Sequence, residues 1–149
     1  MRAVVQKVKE ASVKVKGNVI AKVGKGILIL LGIATDDSKN DCEYLANKIA
    51  NLRIFPDENS LMNKSLIDIN GSVLVVSQFT LLGDCRKGRR PSFSNAASPD
   101  IAKPLYEQFV EVLKEKKIHV ETGIFQEMME VYLINDGPVT LILDSKKIF

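Results

Sequence analysis

The fold is decided by one stretch of the chain, Gly71-Ser72-Val73-Leu74-Val75-Val76-Ser77-Gln78-Phe79-Thr80-Leu81-Leu82-Gly83. Its first half, Val73 to Val76, is an unbroken run of β-branched and aliphatic residues. A strand with one face in water alternates apolar and polar side chains, whereas a strand covered on both faces is apolar throughout. The run therefore predicts a central strand that is buried on both sides.

The second half of this stretch places polar side chains at the end of the predicted strand. Ser77, Gln78 and Thr80 interrupt the apolar sequence, which resumes at Leu81. Buried hydroxyl and amide groups cost free energy unless they are paired. They either bond to neighbouring backbone or form the polar floor of a pocket, and this stretch alone leaves both interpretations open.

The composition of the chain is that of a globular protein. With 149 residues, of which 46% are hydrophobic and 26% charged, it predicts a single domain over residues 1–149. A domain of this size buries about 68–70% of its unfolded surface, so it needs no disulfide or metal to fold. The net charge of +3 is only mildly basic, so any affinity for nucleic acid must come from local patches.

The cysteines, the N-terminal residues and the longest apolar run all predict a cytoplasmic protein. Cys42 and Cys85 form no CxxC pair, which favours reduced thiols. The chain turns polar too soon after Met1 for a signal peptide. Its longest apolar run, Ile27 to Ala34, is too short to span a bilayer, so no membrane association is expected.

The N-terminal third of the chain predicts three strands. Residues 2–16, 19–23 and 27–31 are apolar or alternating segments separated by glycine-containing turns. Short turns of this kind favour an antiparallel meander. Near the other end of the chain, residues 120–123, 128–134 and 139–143 predict the last strands.

Two helices are predicted between these groups of strands. Ser38, followed three residues later by Asp41, is typical of a capped helix start; Cys42, Leu45, Ile49 and Leu52 then form its apolar stripe. Ser98-Pro99 begins the second helix, with a buried stripe at Leu105, Phe109 and Val112. Pro104 must kink this helix or mark its true first turn. Together the elements predict an α/β fold, a mixed β-sheet or open barrel with two main helices packed on one face.

A cluster of cations follows the polar end of the central strand. Arg86, Lys87, Arg89 and Arg90 lie within five residues. Most charge runs simply face water, but the position of this one makes contacts with phosphates plausible.

Several kinds of catalytic site are excluded or poorly supported by the sequence. His119 is the one histidine, and without a nearby cysteine or second histidine it indicates no metal cluster. The GxSxG, Walker, GxGxxG and HExxH motifs are absent. A conventional hydrolase is therefore poorly supported, and His119 is interpreted as a structural residue.

A second informative segment is Asn135-Asp136-Gly137-Pro138-Val139-Thr140. Its residue types alone favour a hairpin turn. Together with residues 71–81, however, it closely resembles the D-aminoacyl-tRNA deacylase family. Further agreement lies at Arg53-Ile54-Phe55, Met62-Asn63, Arg90-Pro91-Ser92-Phe93-Ser94, Ala97-Ser98-Pro99 and Thr122-Gly123. Pro104 is a departure that touches only the second helix.

The resemblance implies a homodimeric cytoplasmic enzyme that hydrolyses the ester between a D-amino acid and the 3′-terminal adenosine of tRNA, without a cofactor or metal. Its active sites would lie at the subunit interface. Ser77, Gln78, Phe79 and Thr80 would form one side of each pocket. Gly137-Pro138, joined by a cis peptide bond, would reach into the neighbouring subunit's pocket as a chirality filter. The family also acts on achiral glycyl-tRNA, and Arg86, Lys87, Arg89 and Arg90 would contact the tRNA.

This reaction fits a site without histidine or metal. An aminoacyl ester is already activated, and the ribose 2′-hydroxyl lies beside the bond that breaks. Positioning of ester and water, with backbone N–H groups at the oxyanion, could suffice. Two alternatives stay open. One is an editing module that removes a wrong L-amino acid, as in the similar editing domain of archaeal threonyl-tRNA synthetase; the other is a non-catalytic RNA-binding module.

Overall fold

The computed structural model describes residues 1–148, and in this part of the chain eight strands and two α-helices form. In chain order they are β1 (Arg2–Val15), β2 (Asn18–Val23), β3 (Gly26–Gly32), α1 (Lys39–Ala50), β4 (Phe55–Pro56), β5 (Met62–Lys64), β6 (Ser72–Ser77), α2 (Pro99–Glu115), β7 (His119–Thr122) and β8 (Glu130–Asp144). A 3-10 turn, Phe79–Leu82, follows β6.

The main sheet mixes parallel and antiparallel pairs. β6 lies parallel to β3 and to β7, whereas β1 is antiparallel to β2, β3 and β8. β8 pairs with β1 from Arg2 to Lys14, so β2 and β3 share the opposite edge of β1. The predicted meander is therefore wrong, because β1, at 14 residues, is long enough to pair with β3 and β2 in succession.

Both faces of the sheet are covered at its centre. Val73 and Val75 of β6 pack in a core cluster that includes the buried sides of α1 and α2. Leu74 and Val76 point the other way, into a second cluster with side chains of β1 and β2. The prediction of a strand buried on both faces is confirmed. So is the fold class, a mixed α/β fold with a nearly closed sheet and two helices on one face.

Helix α1 begins as its sequence predicts. The Ser38 N–H and hydroxyl both donate to the Asp41 carboxylate, at 2.8 Å each. Cys42, Leu45 and Ile49 are buried, and burial raises the pKa of the Cys42 thiol to about 11. This thiol is consequently a packing group and not a nucleophile. Cys85 is also free, and it is exposed.

Helix α2 begins at Pro99 and continues through Pro104. Pro104 therefore does not mark its first turn. The buried residues include Tyr106, Phe109 and Leu113, whereas the predicted stripe residues Leu105 and Val112 are only partly buried. The ring of Tyr106 turns into the core because its hydroxyl donates to the Val75 carbonyl of β6, at 2.8 Å.

The C-terminal strand differs from its prediction. β8 is one element over both predicted segments, and the Asn135–Pro138 stretch is not a hairpin turn. Asn135 pairs with Val8, and Thr140 pairs with Gln6, so residues 136–139 bulge opposite Lys7 alone. The Asn135 side-chain amide donates to the carbonyls of Lys7 and Val139, at 2.9 and 3.0 Å. These bonds close the bulge and keep the strand direction.

Candidate functional site at the end of the central strand

A pocket of about 580 Å³ opens where β6 ends. One wall is the polar strand end, a second is the start of α2, and a third is the segment between β7 and β8. The lining residues are Ile33, Val76, Ser77, Gln78, Phe79, Ala97, Pro99, Ala102, Phe125, Gln126, Glu127, Met128, Met129 and Val131. In sheets with parallel strands, ligands commonly bind beyond the carboxyl ends of those strands, and this pocket lies there.

The polar strand end is held in place by backbone hydrogen bonds. Ser77 pairs with Leu31 of β3, and the Gln78 N–H donates to the Leu31 carbonyl at 2.8 Å. Beyond this point the chain enters the 3-10 turn, in which the Leu81 N–H donates to the Gln78 carbonyl at 3.2 Å. Backbone pairing thus fixes the main chain while the side chains of Ser77 and Gln78 remain at the pocket wall.

Close packing at Gly32 places the 3-10 turn against the end of β3. A Cβ atom at Gly32 would lie 2.5 Å from the Leu82 side chain and 3.0 Å from the Gln78 carbonyl oxygen. Such distances leave no room for any side chain larger than hydrogen. Glycine at this position is what lets the turn approach the sheet.

Thr80 differs from its neighbours in the same motif. It is exposed and does not line the pocket. Its hydroxyl accepts a hydrogen bond from the Gln78 side-chain amide. No histidine or carboxylate bonds to that hydroxyl within residues 1–148, so the geometry provides no base that would activate it.

Phe79 connects the pocket to the cationic loop. Its ring is 56% exposed and packs edge-on against Phe93, with 5.2 Å between the ring centroids. Backbone hydrogen bonds between Asp84 and Ser92, at 2.8 and 3.0 Å, close the base of the loop. The loop therefore begins directly after the turn that borders the pocket.

The four cations of this loop are not equivalent. Arg86 forms an ion pair with Asp84, with 2.6 Å between Nη2 and Oδ2, and its Nε donates to Oδ1 at 2.9 Å. Hydrogen bonds from the Arg86 side chain hold the pKa of Asp84 well below its usual range. Lys87, Arg89 and Arg90 are exposed, and none of them contacts a carboxylate in the part of the chain that is described. Three of the four predicted cations are thus available to an anionic partner.

Gly137 and Pro138 lie outside this chain's own pocket. The peptide bond between them is cis, as predicted. Both residues are exposed, and Gly137 has a φ of 125°. Next to them, Lys7 pairs with Asp136, with 3.3 Å between Nζ and Oδ2. Within one chain the structure brings together Ser77, Gln78 and Phe79, but it does not bring the Gly-Pro segment to them.

The far wall of the pocket was missed by the sequence analysis. Residues 125–129 line it with an aromatic ring, a carboxylate and two thioethers. Gly123 allows this wall to fold back, since a Cβ there would lie 2.5 Å from the Met129 sulfur. In the sequence, this wall was indicated only by Thr122-Gly123, one of the segments that resemble the family. His119 is exposed, lies 3.3 Å from Glu121 and does not line the pocket.

Among residues 1–148, no group of three or more His, Cys, Asp or Glu side chains could hold a metal ion. In the same residues, no helix is long and apolar enough to cross a bilayer.

Comparisons with known proteins agree over nearly the whole chain. The family model described as D-Tyr-tRNA(Tyr) deacylase matches residues 4–144. The D-aminoacyl-tRNA deacylase of Thermosipho africanus is 62% identical over 149 residues, covering all of both chains. That of Clostridioides difficile is 58% identical over the same length, again covering both chains fully.

Two solved structures are also similar. A structure titled c-Myc DNA Unwinding Element Binding Protein has a TM-score of 0.91 and 40% identity, covering 97% of this chain and 98% of that one. A structure of a probable eukaryotic D-amino acid tRNA deacylase has a TM-score of 0.83, covering 95% and 97%. At 16% identity, the second likeness shows the fold alone.

Proposed function

The chain belongs to the D-Tyr-tRNA(Tyr) deacylase family and is a hydrolase of D-aminoacyl-tRNA, and we propose that it releases both D-amino acids and glycine from tRNA through a site shared by two subunits. The protein would act as a proofreading enzyme in the cytoplasm. The observation that carries it is the pocket at the end of β6, where Ser77, Gln78 and Phe79 are presented on a rigid backbone.

Backbone positioning is the chemistry that this pocket supports. The Gln78 N–H is fixed to Leu31, and the turn that follows is packed against Gly32. Because the Gln78 N–H is occupied by the Leu31 carbonyl, the donors to the ester oxygen would be other backbone N–H groups of the turn, held at a constant distance as that oxygen becomes negative. Preorganised donors of this kind stabilise an oxyanion without rearrangement during the reaction. The ribose 2′-hydroxyl, which lies beside the bond that breaks, and a positioned water would then allow hydrolysis without a catalytic side chain.

The exposed side of β8 supports a homodimer. Tyr132, Ile134 and Ile142 point outward and are 48%, 50% and 64% exposed. Gly137 and Pro138 lie between them on the same strand. A second copy packed on this face would bury the apolar side chains. It would also bring each Gly-Pro segment into the partner subunit's pocket, completing two equivalent sites.

Within that shared site the Gly-Pro segment would select chirality by exclusion. Its carbonyl oxygens are acceptors suited to the substrate's α-ammonium group. Once ammonium and ester are both held, the two remaining substituents on the α-carbon differ in position. A D-side chain would point out of the pocket, and an L-side chain would collide with the backbone. Glycine has no side chain and would be accepted. Rejection by a rigid wall excludes L-substrates without selecting among D-substrates.

The cationic loop would hold the tRNA near this pocket. Lys87, Arg89 and Arg90 are exposed and begin only a few residues beyond Phe79. Phosphate contacts from such residues position a nucleic acid without reading its sequence. We expect this part of the binding energy to be similar for different tRNAs.

Matched substrates test the proposal directly. Purified protein is incubated with the same tRNA carrying a D-amino acid, its L-enantiomer or glycine, and the remaining ester is followed over time. We expect hydrolysis of the D- and glycyl-esters and survival of the L-ester. Preferential L-hydrolysis would instead indicate an editing module. Binding without any hydrolysis would indicate a non-catalytic RNA-binding protein.

A further inference from the structure

One side chain at the start of β1, where Arg2 pairs with Gly32, reaches the turn that follows the pocket strand. The Arg2 guanidinium donates from Nη1 to the Leu81 carbonyl at 3.1 Å, and from Nε to the Asp144 carboxylate at 3.0 Å. Leu81 belongs to the 3-10 turn, whereas Arg2 and Asp144 are paired residues of β1 and β8. Arg2 therefore joins the turn to the two longest strands of the protein.

The partner of Arg2 is itself held firmly. The Asp144 side chain is only 4% exposed, and its other oxygen accepts the Lys146 N–H at 2.7 Å. A buried carboxylate needs such partners, because its desolvation is otherwise unfavourable. The planar guanidinium that donates to Asp144 through Nε therefore presents Nη1 to the Leu81 carbonyl.

The other contacts of the turn are one local side-chain hydrogen bond, from the Gln78 amide to the Thr80 hydroxyl, together with main-chain bonds and packing. Gln78 bonds through its N–H to Leu31, Gly83 donates to the Thr80 carbonyl at 3.0 Å, and the turn packs on Gly32. Hydrogen bonding from Arg2 acts at the opposite end of the turn from Gln78. It is the side-chain contact that ties the turn to β1 and β8, and a substitution at Arg2 can remove it while the backbone pairing stays.

We propose that Arg2, oriented by Asp144, is a positioning residue for the site: it fixes the 3-10 turn and thereby the placement of Gln78 and Phe79 at the pocket wall. The inference rests on the proposed function of that wall. It assigns no contact with the substrate to Arg2. Its removal should leave substrate binding nearly intact and impair the step that depends on alignment.

The test compares four variants in the full chain: Arg2→Ala, Arg2→Lys, Asp144→Asn and Lys114→Ala. Lys114 forms an exposed ion pair with Glu111 on α2, so its replacement controls for loss of one positive charge. For Arg2→Ala we expect kcat on D-aminoacyl-tRNA to fall roughly 10- to 100-fold, the range for a misplaced reacting group. We expect KM to change by less than about 2-fold, because ground-state binding is retained. Arg2→Lys should restore part of the lost kcat, since lysine keeps the positive charge but lacks the planar group that donates to two acceptors at once.

Hydrogen exchange of the backbone gives a readout that does not depend on activity. In Arg2→Ala and Asp144→Asn, the amides of residues 79–83 should exchange roughly 3- to 10-fold faster, as expected for loss of one hydrogen bond. Amides of α2 should be unchanged. If Arg2→Ala does not fold, Asp144→Asn and Arg2→Lys make the same comparison.

Two results would overturn the proposal. One is exchange in the turn and kcat that both match the Lys114→Ala control. The other is faster exchange spread equally over the turn and α2, which would show a general loss of stability. A wild-type protein inactive on every ester would contradict the proposed function, and the exchange measurement would still decide the role of Arg2.

Discussion

The two segments that carry the family motifs are presented in opposite ways. Ser77 and Gln78 end a strand that is buried on both faces, and they line a pocket. Gly137 and Pro138 lie in a bulge of β8, which pairs only with β1 among the described strands, and both are exposed. A rigid strand end suits the orientation of an ester, and an exposed bulge suits contact with another molecule. One chain therefore contains both motifs but does not bring them together.

The largest effect is expected from a change in the exposed segment. Gly137 has a φ of 125°, and a Cβ atom there would lie 2.9 Å from Cγ2 of Val139. Gly137→Ala should therefore displace the segment and lower hydrolysis of D-aminoacyl-tRNA by about 100-fold, the scale of a 1 Å misplacement. Single-turnover deacylation measures the change.

Gly17→Ala is the matched control for this variant. Gly17 also has a positive φ, of 81°, but nothing lies within 4 Å of its added Cβ. It also needs a positive φ, in a turn away from both motifs, so it controls for the replacement of a glycine in that region of φ. Equal losses of activity in the two variants would mean that strain alone matters and that Gly137 has no special role.

At the strand end, we expect a larger effect from Gln78 than from Thr80. Gln78 lines the pocket, whereas the exposed Thr80 hydroxyl only accepts a bond from the Gln78 amide. Gln78→Ala should slow single-turnover deacylation by roughly 10- to 100-fold. Thr80→Ala should retain most of the rate, because an unactivated hydroxyl is a weak nucleophile. An inactive but folded Thr80→Ala would reinstate covalent catalysis.

The cationic loop should affect binding and not the chemical step. Each phosphate contact that is lost should reduce the slope of log K against log salt by roughly 0.7–0.9. Arg89→Ala and Arg90→Ala should each show this change. Arg86→Ala should show less, because Arg86 is already paired with Asp84. Identical slopes for wild type and the Arg89/Arg90 double variant would show that the loop faces solvent and does not contact the tRNA.

The smallest effect is expected at the start of α1, remote from both motifs. Ser38→Ala removes the hydroxyl that donates to Asp41, while the bond from the backbone N–H stays. It should lower the free energy of unfolding by about 1 kcal/mol, with activity unchanged. Urea denaturation measures this difference.

The cap should also depend on pH through Asp41. Burial raises the pKa of Asp41, but hydrogen bonds from Ser145 and Ser38 outweigh it and hold the pKa well below its ordinary value. A carboxyl with a lowered pKa stabilises the fold above its unfolded pKa and loses this contribution as pH falls. Because the unfolded chains titrate alike, the difference between wild type and Ser38→Ala should be full at pH 7 and shrink only well below about pH 4, as the pH falls through the lowered pKa of Asp41 in the folded proteins. A difference that grows in acid would contradict this assignment.

Local features of the fold could be predicted from the sequence, and distant pairings could not. The run Val73–Val76 and the Ser38–Asp41 cap depend on neighbours in the chain, and both predictions are confirmed. The bulge in β8 depends on a bond from Asn135 to the Lys7 carbonyl, 128 residues away. The turn-forming residue types gave no indication of that partner, and taken alone they favoured a hairpin turn.

The candidate site shows the same division. Its polar strand end was identified from an abrupt change of polarity after Val76. Its far wall, residues 125–129, has no periodicity and becomes part of the pocket only because β7 aligns with β6. The pairing of Arg86 with Asp84 spans two residues and was within reach of the sequence analysis.

A subunit-mixing experiment shows whether two chains complete each site. Gln78→Ala and Gly137→Ala chains are co-expressed with different tags, and mixed dimers are isolated through both tags. If each site takes Gln78 from one chain and Gly137 from its partner, a mixed dimer has one intact site and should regain about half of the wild-type activity. If each chain forms its own whole site, the mixed dimer has no intact site. Activity no higher than that of either variant alone would contradict the account.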